Sequence, residues 1–395
     1  MTVVDDVRHG AKVSIWNDPK IRSVFFQVIL IAVLGFLVIE IVLNTISNLQ
    51  KLNKDLGFDF LSKSAGFDII QTLIPYTSSS SYGTALKVGL LNTILVSVLG
   101  IIAATIIGFV VGIMRLSKNW VVSRIAAVYI EFFRNIPLLL QIFVWYTLVV
   151  IQTLPAPKQA LNPFGVFFLS NRGFMMPRPI FGEGAWMVLA GFVLAVIGVW
   201  LLARWAKQRL FATGQPFPVF WTSIALLIGL PWVGLVLGGF PITFEVPSKT
   251  AFSFSGGMAV IPELMALFLA LSVYTATYIA EAVRAGVQAV SHGQTEAANA
   301  LGLRSGTTLR LVVVPQALRV IIPPLASTYL SLTKNSSLAV AIGYPDLVAT
   351  GGTVLNQTGK AIEIVTIWMV VYLALSLFTS LLMNWFNSRM KLVER

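Results

Sequence analysis

Long apolar runs alternate with short polar breaks along most of this chain. A membrane crossing takes about 20 apolar residues over about 30 Å of hydrocarbon. Eight runs qualify, at about 24–43, 86–114, 125–153, 185–203, 219–238, 262–283, 311–333 and 361–386. The third is longer than one crossing needs. Its continuous apolar part begins at Ile136, so its first part reads as an interfacial helix. The breaks are rich in turn formers: SNLQKLNKDLGFD and YTSSSSYG before the second run, LPAPKQALNP and MMPRPIFGEG before the fourth. The pattern predicts an all-α, polytopic membrane protein with about eight transmembrane helices.

One break differs from the rest. Residues 291–316 read SHGQTEAANALGLRSGTTLRLVVVPQ. Gln294–Leu301 are good helix formers, Ser291 or Thr295 is placed to cap their start, and Gly302 is placed to stop them. Ser305 or Thr307 opens the next helix, and Pro315 marks its early turns or a kink. The expectation is a short helix across one membrane face, between the spans 262–283 and 311–333. Ala297, Ala298 and Ala300 would give it a small, smooth face for another protein. On composition alone the same segment reads as a solvated connecting loop.

Composition agrees with the pattern. Hydrophobic residues make up 56% of the 395 and charged residues 11%, against about 25% charged in a soluble domain. The net charge of +12 does not point to nucleic acid, because the basic residues cluster at the ends of apolar runs. One set of loops holds Arg8, Lys12, Lys20 and Arg22, then Arg115, Lys118 and Arg124, then Arg204, Lys207 and Arg209, then Arg284, Arg304 and Arg310, then Arg389, Lys391 and Arg395. The opposite set holds Lys51, Lys54, Lys63, Lys158, Arg172, Arg178, Lys249 and Lys360 in longer loops. The positive-inside rule therefore places both termini and residues 291–316 in the cytoplasm. With no cysteine, disulfides and thiolate metal sites are excluded. The two histidines, His9 and His292, are too few for a metal centre. The N-terminus holds Asp5, Asp6 and Asp18 before a full-length span, unlike a cleaved signal.

The spacing within 291–316 is specific. Glu296-Ala297-Ala298, three residues, Gly302, nine residues, Val312, one residue, Val314-Pro315 resembles the EAA-x3-G-x9-I-x-L-P loop of ABC-importer permeases, with valine for isoleucine and for leucine. GTALKVGLLNTILVSVLG (83–100), YIEFFRNIPLLLQIF (129–143), YIAEAVRAGVQAVSHGQTEAANALGL (278–303) and SLTKNSSLAVAIGYPDL (331–347) resemble the polar amino acid uptake branch of these permeases. The whole is similar to the enlarged permeases of general L-amino-acid and glutamate/glutamine uptake systems. The resemblance covers roughly 83–154 and 262–390.

That resemblance implies a type I importer permease core in two parts, 83–154 and 262–395, with a cytoplasmic coupling loop at 285–310. Residues 1–82 add a cytoplasmic segment, a first span and an outer loop. Residues 155–261 form an inserted outer loop and helical hairpin, expected to pack outside the translocation path. Further implications are a location in a bacterial inner membrane, a cytoplasmic ATPase dimer docked on Glu296, Ala297, Ala298, Gly302 and Pro315, a second permease half, identical or homologous, and a periplasmic binding protein that delivers an amino acid. The chain would bind no cofactor itself; ATP and magnesium would belong to the ATPase. Its nearest approach to a phosphate-cradling G-x-x-x-x-G-K-[ST] loop is NQTGKA, where Val354 replaces the first glycine and Ala361 the hydroxyl.

Charges near the spans raise a gating question, because a charge at mid-membrane costs about 2.5–3.5 kcal/mol on insertion scales. Glu131 with Arg134, and Glu281 with Arg284, have i, i+3 spacing and can pair. They read either as interfacial pairs or as a cytoplasmic gate. Lys334 and Asn335, near the outer end of their span, share that ambiguity. Gln141 and Asn92 are candidate cavity-facing polar groups. A secondary transporter or a non-transporting assembly subunit remain rival readings. No inverted repeat is discernible between the halves, which disfavours the first.

Overall fold

The computed structural model describes residues 19–51, 57–250 and 253–389. Arg8, His9, Lys12, Lys54, Lys391 and Arg395, used above for charge and chemistry, lie outside them. Helices replace the apolar runs in order: α1 (Pro19–Lys51), α2 (Tyr82–Arg115), α3 (Trp120–Asn135), α4 (Leu138–Phe143), α5 (Ala185–Thr213), α6 (Val219–Leu237) and α7 (Pro262–Gln288). Next come α8 (His292–Ala300), α9 (Ser305–Thr308), α10 (Val314–Asn335), α11 (Leu347–Thr358) and α12 (Ala361–Arg389). Side chains cap several starts: Ser81 accepts from Thr84 N–H, Asn119 from Val121 and Val122, and Asp346 from Ala349.

Among the described residues seven helices are long and apolar enough to cross a membrane. The third run is the exception. It folds as two rods, α3 and α4 with its π-helical continuation Val144–Thr153, meeting at 103° beside Ile136, where the continuous apolar part begins. Pro137 causes the break. It has no N–H to donate, and it holds Ile136 extended at φ −96°, ψ 128°. Gln141 Nε2 donates to the carbonyls of Phe133 (2.7 Å) and Ile136 (2.9 Å), two acceptors that the break strips of helical partners.

The core is built around α7. Leu267, Leu271, Ala276, Ile279 and Ala280 are fully buried. α2 lies close against it because Gly108 and Gly112, one turn apart, present no side chain: a Cβ on Gly112 would lie 2.8 Å from the Ala280 carbonyl oxygen. α10 closes the other side of α7, and α12 packs on α10.

Residues 155–261 contain short strands that the hydrophobic pattern did not announce. β1 (Phe168–Ser170), β2 (Gly173–Met176) and β7 (Met258–Val260) make one antiparallel sheet; β3 (Arg178–Phe181) with β4 (Ile242–Glu245) and β5 (Ser248–Lys249) with β6 (Phe254–Ser255) make two ribbons. Strands of two to four residues are too short to show alternation. The β3–β4 pairing, Arg178 opposite Glu245 through Phe181 opposite Ile242, ties the two ends of the α5–α6 hairpin together. The hairpin therefore leaves on the side it entered.

Candidate functional site

The segment 291–316 folds as a short helix between two spans. α8 begins one residue after Ser291, though the Ser291 side chain makes no capping bond; α9 begins at Ser305 itself, with Arg304 at the cap position. Gly302 closes α8 at φ +72°. Its N–H donates to Asn299 O (2.9 Å) and Leu303 N–H to Ala298 O (3.1 Å), a Schellman closure that requires the left-handed backbone. The alanines do not share one face. Ala298 is buried and seats α8 on the chain, whereas Ala297 and Ala300 point outward. The feature missed from the sequence is Leu301, 80% exposed beside them. It stands at the tip of the capped helix.

The helix touches the span that follows it. Gln316 Nε2 donates to Gln294 Oε1 across the turn (3.2 Å). Val314 N–H donates to Leu309 O within the π-turn Leu309–Val313, which absorbs the missing donor of Pro315. Gly286, near the C-terminal end of α7, touches α10: a Cβ there would collide with Ile321 and lie 3.0 Å from Ala317 O.

Two polar clefts line the faces of α7. The first, about 340 Å³, is bounded by Tyr274, Tyr278, Ser327, Thr328, Ser331 and Asn335, with Thr275 and Leu332. Tyr274 and Tyr278 hydroxyls are 2.7 Å apart. Ser327, Ser331 and Asn335 are a polar stripe at i, i+4, i+8, readable from helical period, but only Asn335 stood out in the sequence; Lys334 is exposed beside the cleft. The second cleft, about 280 Å³, gathers Arg115, Glu131, Arg134, Asn135 and Glu281. Three of the four charged residues of the two predicted pairs, Glu131, Arg134 and Glu281, thus come together from helices far apart in sequence. Their pairing differs from expectation in one case. Arg284 binds Glu281 at 2.8 Å and also donates to Gln288 Oε1, as the spacing implied. Arg134 instead stacks on the Tyr278 ring, 5.2 Å from its centroid, and makes no ion pair with Glu131 among the described residues.

Gln141 and Asn92 line neither of these two clefts. Gln141 is buried at the α3–α4 break. Asn92 is fully buried, its Nδ2 donating to Gln71 O (3.0 Å) and Pro345 O (2.9 Å). Beside it Asp346, between the last two spans, caps α11. Burial pushes its carboxyl up to about 7, against partial relief from backbone N–H donors.

Residues 96–392 match the family model described as the binding-protein-dependent transport system inner membrane component. The chain belongs to that family. Among similar proteins, the general L-amino acid transport system permease protein AapQ of Rhizobium johnstonii is 56% identical over 96% of this chain and 94% of its own. The glutamate/glutamine/aspartate/asparagine transport system permease protein BztB of Rhodobacter capsulatus is 43% identical over 96% of each. A solved amino acid ABC transporter crystallised with histidines aligns at a TM-score of 0.47 and 21% identity, over 78% of this chain and 95% of that one. This chain is therefore a multi-pass permease subunit of an inner membrane, not itself a catalyst. Membership in a binding-protein-dependent family sets aside the secondary-transporter and assembly-subunit readings.

Proposed function

We propose that the chain forms half of the translocation pathway of an ATP-driven amino acid importer, with a cytoplasmic ATPase dimer docked on α8. The observation that carries the reading is α8 itself: capped by Gly302, seated by Ala298, and ending in the exposed Leu301, between the two spans that line the polar cleft. Relatives named for amino acid transport support the substrate class. So does the cleft, whose hydroxyls and nearby Arg134 and Glu281 suit a zwitterion. A periplasmic binding protein delivers the substrate, and a second permease half, identical or homologous, completes the pathway. Both termini face the cytoplasm. ATP and magnesium act on the ATPase; this chain does no covalent chemistry.

Closure of the ATPase dimer would move α8, and α7 and α10 with it through the Gly286 contact. ATP enters as a difference in affinity for two conformations. Glu131, Arg134, Glu281 and Arg284 are the gate whose contacts change as the cavity opens outward. The test is Leu301→Glu in the reconstituted complex. We expect normal membrane insertion, loss of the ATPase on purification and loss of uptake. Full uptake by this variant at normal abundance would remove α8 as the docking element.

A further inference from the structure

We propose that the inner tip of the α5–α6 hairpin is a binding site for anionic phospholipid headgroups. The proposed orientation decides only which leaflet supplies them. The argument starts from length. α5 has 29 residues, about 43 Å at 1.5 Å per residue, against about 30 Å of hydrocarbon. Its last turns therefore stand in the headgroup region, where Gly214, at φ +70°, ends the helix before Pro216 and Pro218.

Charge is confined to that tip. Between residues 184 and 244 the only charged side chains are Arg204, Lys207 and Arg209; no aspartate or glutamate occurs there. The positive charge is thus uncompensated within the hairpin, and α5 packs chiefly on α6. Aromatic rings order the cations. Arg204 lies 4.2 Å from the centroid of Trp200 and Arg209 lies 5.4 Å from Trp205 and 6.0 Å from Phe217. Lys207 lies 6.0 Å from Phe211. Arg209 also donates to Gln215 Oε1 (3.3 Å). A guanidinium stacked by its face keeps N–H groups on its edge, and that edge matches a phosphate oxygen pair. Trp200, Trp205 and Phe211 are exposed as well, Phe211 by 79%, while Phe217 is half-buried, and indoles favour the interface where headgroups lie. Ordered cations, interfacial rings and an absence of acids select a phosphodiester carrying net negative charge over a zwitterionic headgroup.

The experiment uses the full chain purified in mild detergent, offered equimolar phosphatidylglycerol and phosphatidylcholine, with bound lipid counted by native mass spectrometry. A basic residue near an anionic surface contributes about a fivefold preference, so R204Q/K207Q/R209Q should lower the phosphatidylglycerol excess at least about fivefold. R204K/R209K, which keeps the charge but loses the planar fork, should lower it by less than the triple variant but measurably. An equal loss in K118Q/R124Q would make the preference a general property of basic helix ends and overturn the assignment. So would a triple variant that keeps its lipid preference but no longer retains the ATPase; that result would make the tip a protein interface. Independently of any variant, photoreactive phosphatidylglycerol should label the wild-type chain within 200–221. Labelling confined to other segments would also overturn it.

Discussion

Gly302 separates two costs at one residue. Within the chain, a Cβ there meets nothing within 4 Å, so only the left-handed backbone resists substitution, at roughly 1–2 kcal/mol. Gly302→Ala should therefore keep the fold and measurable uptake. Gly302→Asp adds a charge next to Leu301, and we expect uptake to vanish while the protein still inserts; transport assays at matched abundance compare the two. The Glu281–Arg284 pair can be treated the same way. An i, i+3 pair contributes about 0.2–0.5 kcal/mol, too little for its loss to unfold the chain. If the pair holds the inner gate, Glu281→Gln should raise basal ATP hydrolysis in vesicles and leave little uptake. Unchanged hydrolysis and uptake would make it an interfacial pair. Its partner cluster shows why spacing has limits: i, i+3 placed Glu131 and Arg134 on one face, but the Tyr278 ring arrives from another helix and takes the guanidinium.

At the scale of elements, α7, α8 and α10 act together only if α7 and α10 stay in contact beside α8. Gly286 permits that contact. Filling a close-packed site costs about 1–3 kcal/mol when neighbours must shift. Gly286→Leu should lower the thermal midpoint and, more tellingly, reduce the transport gained per ATP hydrolysed, measured in the same vesicles. A lower midpoint with unchanged coupling would confine Gly286 to packing. The α3–α4 break belongs to the same scale. Proline chemistry makes Pro137 readable as a stop, but neither the 103° angle nor the reach of Gln141 back to the Phe133 and Ile136 carbonyls is written in a linear pattern.

The whole molecule is a core of α2–α4 and α7–α12 with two additions. One is α1, whose apolar stretch is unburied in this chain. The other is the hairpin on its β-paired base. We propose that the hairpin packs outside the pathway. Since the chain has no cysteine, single cysteines along 219–238 can be scanned cleanly. They should react poorly with a membrane-impermeant thiol reagent and gain no protection from substrate. A periodic stripe of reactive, substrate-protected positions would place the hairpin in the pathway.

The sequence by itself determined the class, the positions of the long helices and the short helix within 291–316. Burial of apolar runs in lipid is a local requirement, and so is the backbone that Gly302 must adopt; both are written in contiguous residues. Tertiary structure decided what meets across distance. It turned Ala298 inward and left Leu301 outward, and it drew the Asn92 and Gln141 side chains into backbone hydrogen bonds. It also placed Tyr274 and Tyr278 opposite the polar stripe of α10. Helix rotation is set by packing against neighbours, and an apolar helix with little amphipathic contrast carries almost no record of which side that packing will choose.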